Sequence, residues 1–225
     1  MRLDGQTARR LVSVGTFLLA VYPSNRLTAQ DPAPILDRAS KTFDSIRTLQ
    51  ADFVQIVDNP LVGGPDTTRG KLFQRRPSFF AMRFTDPKGD RIVADGRRLW
   101  LYTPSSTPGQ VIRTGIPGTG TTGPNLISQF VEHPRERYDA RYVRGDSLDG
   151  SAVDVVLLTP RATDLPYSKA SVWIGKADGL VRRIDIDETS GQRRTIILKR
   201  ISVNRSIQAR ELRFSPPAGV RVVDQ

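Results

Sequence analysis

The sequence predicts a mainly β fold with an α lid: one long antiparallel sheet, curled about an apolar face and capped by an N-terminal helix and a short central helix. Three observations carry this. Between Gly70 and Pro104 the chain has a dense apolar and aromatic stretch of period two, in which Phe80, Met82 and Phe84 alternate with Phe79, Ala81 and Arg83. Its turns are written as Asp86-Pro87-Lys88-Gly89 and Asp95-Gly96. From Asp31 to Leu49 the period is helical instead, with Ile35, Ala39, Phe43, Ile46 and Leu49 on one stripe. Beyond residue 137 further short apolar runs recur between turn signals, as in an extended antiparallel sheet.

In chain order, Arg2, Arg9 and Arg10 precede Leu11–Tyr22, a mostly apolar run too short to span a membrane but suited to the core of a signal peptide. Leu27-Thr28-Ala29 offers a small residue for cleavage near Ala29, which divides the chain into a signal peptide, 1–29, and a single domain, 30–225. Asp31-Pro32 and Pro34 suit a helix start. The stripe that follows fits an ordinary helix on a sheet and a lid over a concavity equally well, because both need the same face. Period two returns from Leu49 to Val57, and 59–68 is a turn-rich connection. The meander is expected at 71–76, 78–84, 90–94 and 98–103, with a short strand at 110–113. Gly115 to Pro124 is a glycine-threonine stretch without the Lys-Ser/Thr ending of a phosphate loop, and so reads as a mobile loop. A short helix at 124–132 carries Leu126, Ile127, Phe130 and Val131. Six more strands are expected near 138–144, 152–158, 169–175, 180–187, 193–203 and 208–214. In the 169–175 strand either Trp173 or the pair Val172 and Ile174 faces inward.

Composition narrows the function. A chain of 225 residues buries a real core. With 34 Lys and Arg against 23 Asp and Glu the net charge is +11, enough to attract acidic partners or anionic surfaces. The positive residues are scattered in ones and twos, as on the outer faces of strands, and no nucleic-acid recognition motif accompanies them. There is no cysteine, which removes disulfides, thiolate metal sites and an N-terminal lipidation site. The single histidine, His133, sits in the polar stretch Glu132-His133-Pro134-Arg135, and no serine lies in a nucleophile elbow. Asp185, Asp187 and Glu188 read as a solvated acidic edge rather than a cation site, and Asp95 sets a hairpin turn. The expectation is therefore a binding protein with no catalytic residue, metal or cofactor.

An ordered string of residues also resembles the periplasmic outer-membrane lipoprotein carrier family (LolA). It comprises Gly70, Leu72, Arg76, Pro77, Phe80, Pro87, Ile92, Val93, Asp95, Gly96, Leu99, Trp100 and Tyr102. Phe53 and Gln55 match a further F-x-Q element, and Phe214-Ser-Pro-Pro-Ala-Gly-Val220 with Val222 and Val223 resembles the family's C-terminal tail. The resemblance spans about residues 31–225. It implies an incomplete, strongly curved antiparallel β-barrel. It implies a monomeric periplasmic carrier that takes acylated lipoproteins from an inner-membrane ABC exporter to an outer-membrane receptor; a lipid- or lipoprotein-sensing regulator of the same architecture is the alternative. Phe43, Phe53, Phe80, Met82, Phe84, Trp100 and Tyr102 are then expected to line the lipid site, with Met82 where the family often has tryptophan. The resemblance further assigns Arg76 to holding the lid shut through backbone carbonyls, with Arg75 the competing register. The strong positive charge departs from the family pattern and bears on the docking surface.

Overall fold

The computed structural model describes residues 30–61, 63–116 and 126–225. The expected signal peptide, 1–29, and most of the glycine-threonine loop, 117–125, lie outside the described residues. No described helix is long and apolar enough to cross a membrane.

Helix α1 (Ala33–Ser45) follows Pro32 at its N-cap and has Pro34 in its first turn, where a missing N–H costs nothing. Asp31 Oδ1 accepts a hydrogen bond from the Ala33 N–H at 2.9 Å. Ile35, Leu36, Ala39 and Phe43 form its buried stripe. The helix ends at Ser45, short of Leu49, because Ile46 turns to extended backbone and leads into a strand.

That strand, β1 (Thr48–Asp58), joins the two halves of a single twelve-stranded sheet. On one side lies the meander β2 (Asp66–Arg75), β3 (Phe79–Asp86), β4 (Lys88–Asp95), β5 (Arg98–Tyr102) and β6 (Gln110–Gly115). On its other side lies β11 (Arg193–Val203), followed outward by β10 (Val181–Glu188), β9 (Tyr167–Gly175), β8 (Ser151–Pro160) and β7 (Tyr138–Leu148). The sheet does not close, and its edges are β7 and β12 (Arg221–Asp224). Two short helices, α2 (Leu126–Val131) and α3 (Pro134–Arg137), lie in the connection from β6 to β7.

Two elements differ from expectation. The sheet is antiparallel throughout except at one edge, where β12 runs parallel to β6, with Val222 opposite Val111. The chain reaches that edge only after leaving β11 and crossing the outer face, the kind of long connection that parallel pairing requires. The 208–214 stretch is not a strand. It contains a 3-10 turn, Ala209–Leu212, whose Leu212 is buried against Phe73, Ala81 and Val93 on the outer face of the meander.

The main core fills the concave face. It gathers α1, α2 and the inward side chains of strands from both halves of the sheet, among them Phe53, Leu72, Val172, Ile184 and Leu198. Val172 and Ile174 point inward, which turns Trp173 outward onto Val153 and Val155. There its indole N–H donates to Asp146 at 3.1 Å, and the Arg183 guanidinium lies 4.6 Å from the ring centroid.

Candidate functional site: the concave face and its lid

Antiparallel partners directly opposite each other share a face, so register fixes the wall of the concavity. Phe53 stands opposite Gly70, which in turn stands opposite Phe84. The two rings meet edge to face across the glycine, 5.1 Å apart at 83°. A Cβ on Gly70 would run into the Arg83 carbonyl oxygen and come within 2.8 Å of the Phe53 ring, so only glycine fits beneath this pair. Phe80 and Met82 continue the wall on β3, both 3% exposed, and Phe43 of the lid belongs to the same buried cluster. Five of the seven expected lining residues, Phe43, Phe53, Phe80, Met82 and Phe84, are thus brought into one apolar cluster.

Trp100 and Tyr102 are not among them, and their assignment to this site is corrected. On β5 it is Leu99 and Leu101 that face inward. Trp100 and Tyr102 lie on the outer face, where each ring packs against Phe214 at 5.6 and 5.5 Å. The C-terminal segment covers this patch and makes it a second, small core. The Trp100 indole N–H donates to Asp95 at 2.8 Å, and the backbone N–H groups of Arg97 and Arg98 donate to the other carboxylate oxygen. Burial works against the Asp95 charge, but these hydrogen bonds and the neighbouring Arg97 outweigh it and hold the carboxyl below its usual value.

The lid is tied down by polar contacts around its edges. The last carbonyls of a helix have no intrahelical partner, and α1 has no basic residue in its final turn. Arg76, just past the end of β2, brings a cation to this end, joining the Ile46 N–H that already donates to the Phe43 carbonyl at 3.0 Å. Its Nη1 donates to the Phe43 carbonyl at 3.0 Å, and its guanidinium lies 4.8 Å from the centroid of the Phe43 ring. Asp44 and Glu132 flank it at 3.6 and 3.8 Å. Arg75 lies instead over the Phe79 ring at 4.2 Å, so of the two arginines it is Arg76 that reaches the helix.

Other fastenings had no local signal in the sequence. Arg38 of α1 donates to Asp154 at 3.0 Å, and Lys176 approaches the other Asp154 oxygen at 3.4 Å. Ser40 donates to the Val131 carbonyl of α2 at 2.6 Å, and Thr42 donates to the Asp178 carbonyl at 2.9 Å. Helix α2 is held by a buried network in which Tyr138 donates to the Gln129 carbonyl at 3.0 Å and the Gln129 amide donates to the Tyr167 hydroxyl at 2.8 Å. Burial, reinforced by the hydrogen bond with Tyr167, pushes the Tyr138 phenol far above its ordinary value, so it stays neutral. Between α1, α2 and the turn at Gly179 the remaining space is only about 10 Å³. That holds no more than a water, whereas pockets for organic ligands run to roughly 300–1,000 Å³. A ligand entering there has to displace the lid.

The acidic edge is neutralised by arginines. Arg183 pairs with Asp185, Arg193 with Asp187 and Arg194 with Glu188, at 2.7, 2.7 and 2.8 Å. Among the described residues no group of three or more His, Asp or Glu side chains is arranged to hold a metal.

Comparison with known proteins agrees with this architecture. The outer-membrane lipoprotein carrier protein of Pectobacterium carotovorum subsp. carotovorum is 27% identical over 184 residues, covering 81% of this chain and 84% of that protein. The corresponding protein of Pectobacterium atrosepticum is likewise 27% identical with the same coverage. Among solved structures, an uncharacterized conserved protein from Thermus thermophilus superposes with a TM-score of 0.55 at 14% identity, covering 87% of this chain and all of that one. The Pseudomonas aeruginosa MucA/MucB complex matches with a TM-score of 0.51 at 15% identity, over 86% of this chain and 64% of that one, which shows a shared fold. The family model described as "Outer membrane lipoprotein carrier protein LolA" matches residues 44–215, and the chain therefore belongs to the LolA family.

Proposed function

We propose that the protein is a periplasmic carrier that shelters the acyl chains of lipoproteins in the concavity beneath α1. In this reading it accepts them from an inner-membrane ABC exporter and passes them to an outer-membrane receptor, acting as a monomer and without a catalytic step or cofactor. The observation that carries it is a largely apolar wall covered by a helix that is fastened at its edges by hydrogen bonds and ion pairs. Such a cover is released without disturbing the sheet. The lining set is Phe43, Phe53, Phe80, Met82 and Phe84, with Arg76 as the latch.

The energetics suit a carrier that works without a fuel. Each methylene removed from water contributes about 0.8 kcal/mol, so an acyl chain needs an apolar escort. The same wall must also let go. When the chain leaves, α1 returns its own stripe of Ile35, Leu36, Ala39 and Phe43 to the cluster, and this reburial offsets much of the cost of release. The sensing-regulator alternative draws on fold likeness alone, whereas the carrier reading also draws on sequence relatives spanning most of the chain.

Mass spectrometry of the protein purified from the periplasm under native conditions tests this. Diacylated or triacylated lipoproteins bound one to one are the expected result, and their addition to receptor-bearing vesicles should release them. A protein that consistently carries no acylated species, or only free fatty acid at substoichiometric amounts, would count against it.

A further inference from the structure

One residue on the apolar wall does not belong to an apolar wall. Gln74 is 1% exposed, and among the described residues neither its Oε1 nor its Nε2 has a hydrogen-bond partner. Its place is fixed by register: it stands opposite Leu49 on β1 and opposite Phe80 on β3, both inner-face residues of the main cluster. It also shares the face of its own strand with Leu72 below and Arg76 above, two residues away on either side. A carboxamide buried without partners is destabilising, and an apolar side chain of similar size would serve the closed state better. The sequence could have shown this, since a glutamine interrupts the inward alternation between Leu72 and the rim.

Building on the carrier reading above, we propose that Gln74 is the polar contact for the carbonyl linkage that joins an acyl chain to the rest of the cargo. A carboxamide suits both forms of that linkage. Its N–H groups donate to the carbonyl oxygen of an ester, and its oxygen accepts the N–H of an acyl amide. Its depth is right as well: two residues along a strand is about 7 Å, so the amide lies one side-chain layer below the Arg76 rim. An acyl chain running down the wall past Phe80 brings its linkage to that layer when the Arg76 latch opens. Gln74 thereby sets how far a chain enters and selects carbonyl-linked chains over plain hydrocarbon.

The test compares two synthetic lipopeptides with the same head and the same two hexadecyl-length chains, one ester-linked and one ether-linked, by displacement of a fluorescent fatty-acid probe. Wild type is expected to bind the diester about tenfold more tightly than the diether, the scale of one buried hydrogen bond. Gln74→Leu should bind both equally, hold the diether at least as tightly as wild type does, and melt no lower in the unliganded state. Gln74→Met, which keeps the length and removes the amide, repeats the comparison. A tenfold preference that persists in both variants, or a wild-type preference near one, overturns the assignment of Gln74 while leaving a carrier. Failure of wild type to bind either lipopeptide overturns the carrier reading itself, and this proposal with it.

Discussion

Replacing Arg76 by leucine removes the hydrogen bond to the Phe43 carbonyl and the guanidinium over the Phe43 ring, and leaves the sheet beneath untouched. A hydrogen bond from a charged donor contributes about 1.5–3 kcal/mol, and partial exposure of Arg76 keeps it toward the lower end. The cation–π contact adds about 0.5–1 kcal/mol. Asp44 and Glu132, at 3.6 and 3.8 Å and open to solvent on one side, add little. The closed lid therefore loses about 2–3 kcal/mol, a shift of roughly 30- to 150-fold in its equilibrium. Because a closed lid competes with ligand, the apparent affinity for an acylated probe rises by the same factor while the closed state dominates. Fluorescence titration with an acylated probe measures this directly. In a two-membrane transfer assay the variant should load and then stall as a soluble complex. Arg75→Leu, which alters only the contact with Phe79 on the other face, should bind like wild type. Equal affinity and equal transfer for wild type and Arg76→Leu would remove the latch and leave Arg76 a stabilising residue only.

Gly70→Ala places a methyl group against the Arg83 carbonyl and the Phe53 ring, so it should destabilise by about 2–4 kcal/mol and lower the melting temperature by roughly 5–15 °C in calorimetry. An unchanged melting temperature would mean that β1 to β3 accommodate the group freely. Phe84→Glu, on the inner face but only half-buried, should weaken acyl-probe binding at least about tenfold, whereas Trp100→Ala should lower stability and leave that affinity within about twofold. The reverse pattern would put the lipid site on the outer face. Stability should also fall in acid. The Arg193 hydrogen bond, aided by Lys169, outweighs burial and holds Asp187 below its unfolded value of 3.8, and Arg182 does the same for Asp178. At Asp95 burial opposes the charge but is outweighed by the hydrogen bonds from Trp100, Arg98 and Arg97. Lowered folded values mean stability that is fully present above the unfolded value and lost as pH falls through the folded ones. The melting temperature should hold steady from pH 7 to about 5 and drop below about pH 4, and a decline already complete by pH 5 would contradict this.

The period-two runs were legible because each strand of the meander has one face that is inward for its whole length, as the alternation of Phe80, Met82 and Phe84 on β3 shows. Strand β5 was harder for a physical reason. Both of its faces are apolar, and the residues that decide between them, Phe214 and Leu212, lie more than a hundred positions away in sequence. The same distant cover makes the alternation of Leu212 and Phe214 look like a strand, since any segment with one buried side can show it. Leu49 fits both the helical stripe and the strand alternation, so periodicity alone puts the end of the lid helix four residues late. Arg76 could be anticipated from its neighbourhood in the ordered string, but Arg38 and Asp154, 116 residues apart, share no local pattern. Gln74 could have been found from the sequence but was passed over, although strand parity alone sets it inward between Leu72 and Arg76.

Where the acyl chains lie is the most direct question. It is answered by methyl NMR on the protein bound to a lipopeptide carrying a nitroxide near the end of one acyl chain. Proximity to the spin label broadens methyl signals, so the labelled chain marks the wall it touches. The expected result is loss of signal from inner-face methyls such as Leu72, Ile127 and Leu198, with Val155 and Leu212 on the outer face left sharp. Broadening confined to Val155 and Leu212, with the inner set unchanged at saturation, would contradict the central claim that the concave face is the lipid site.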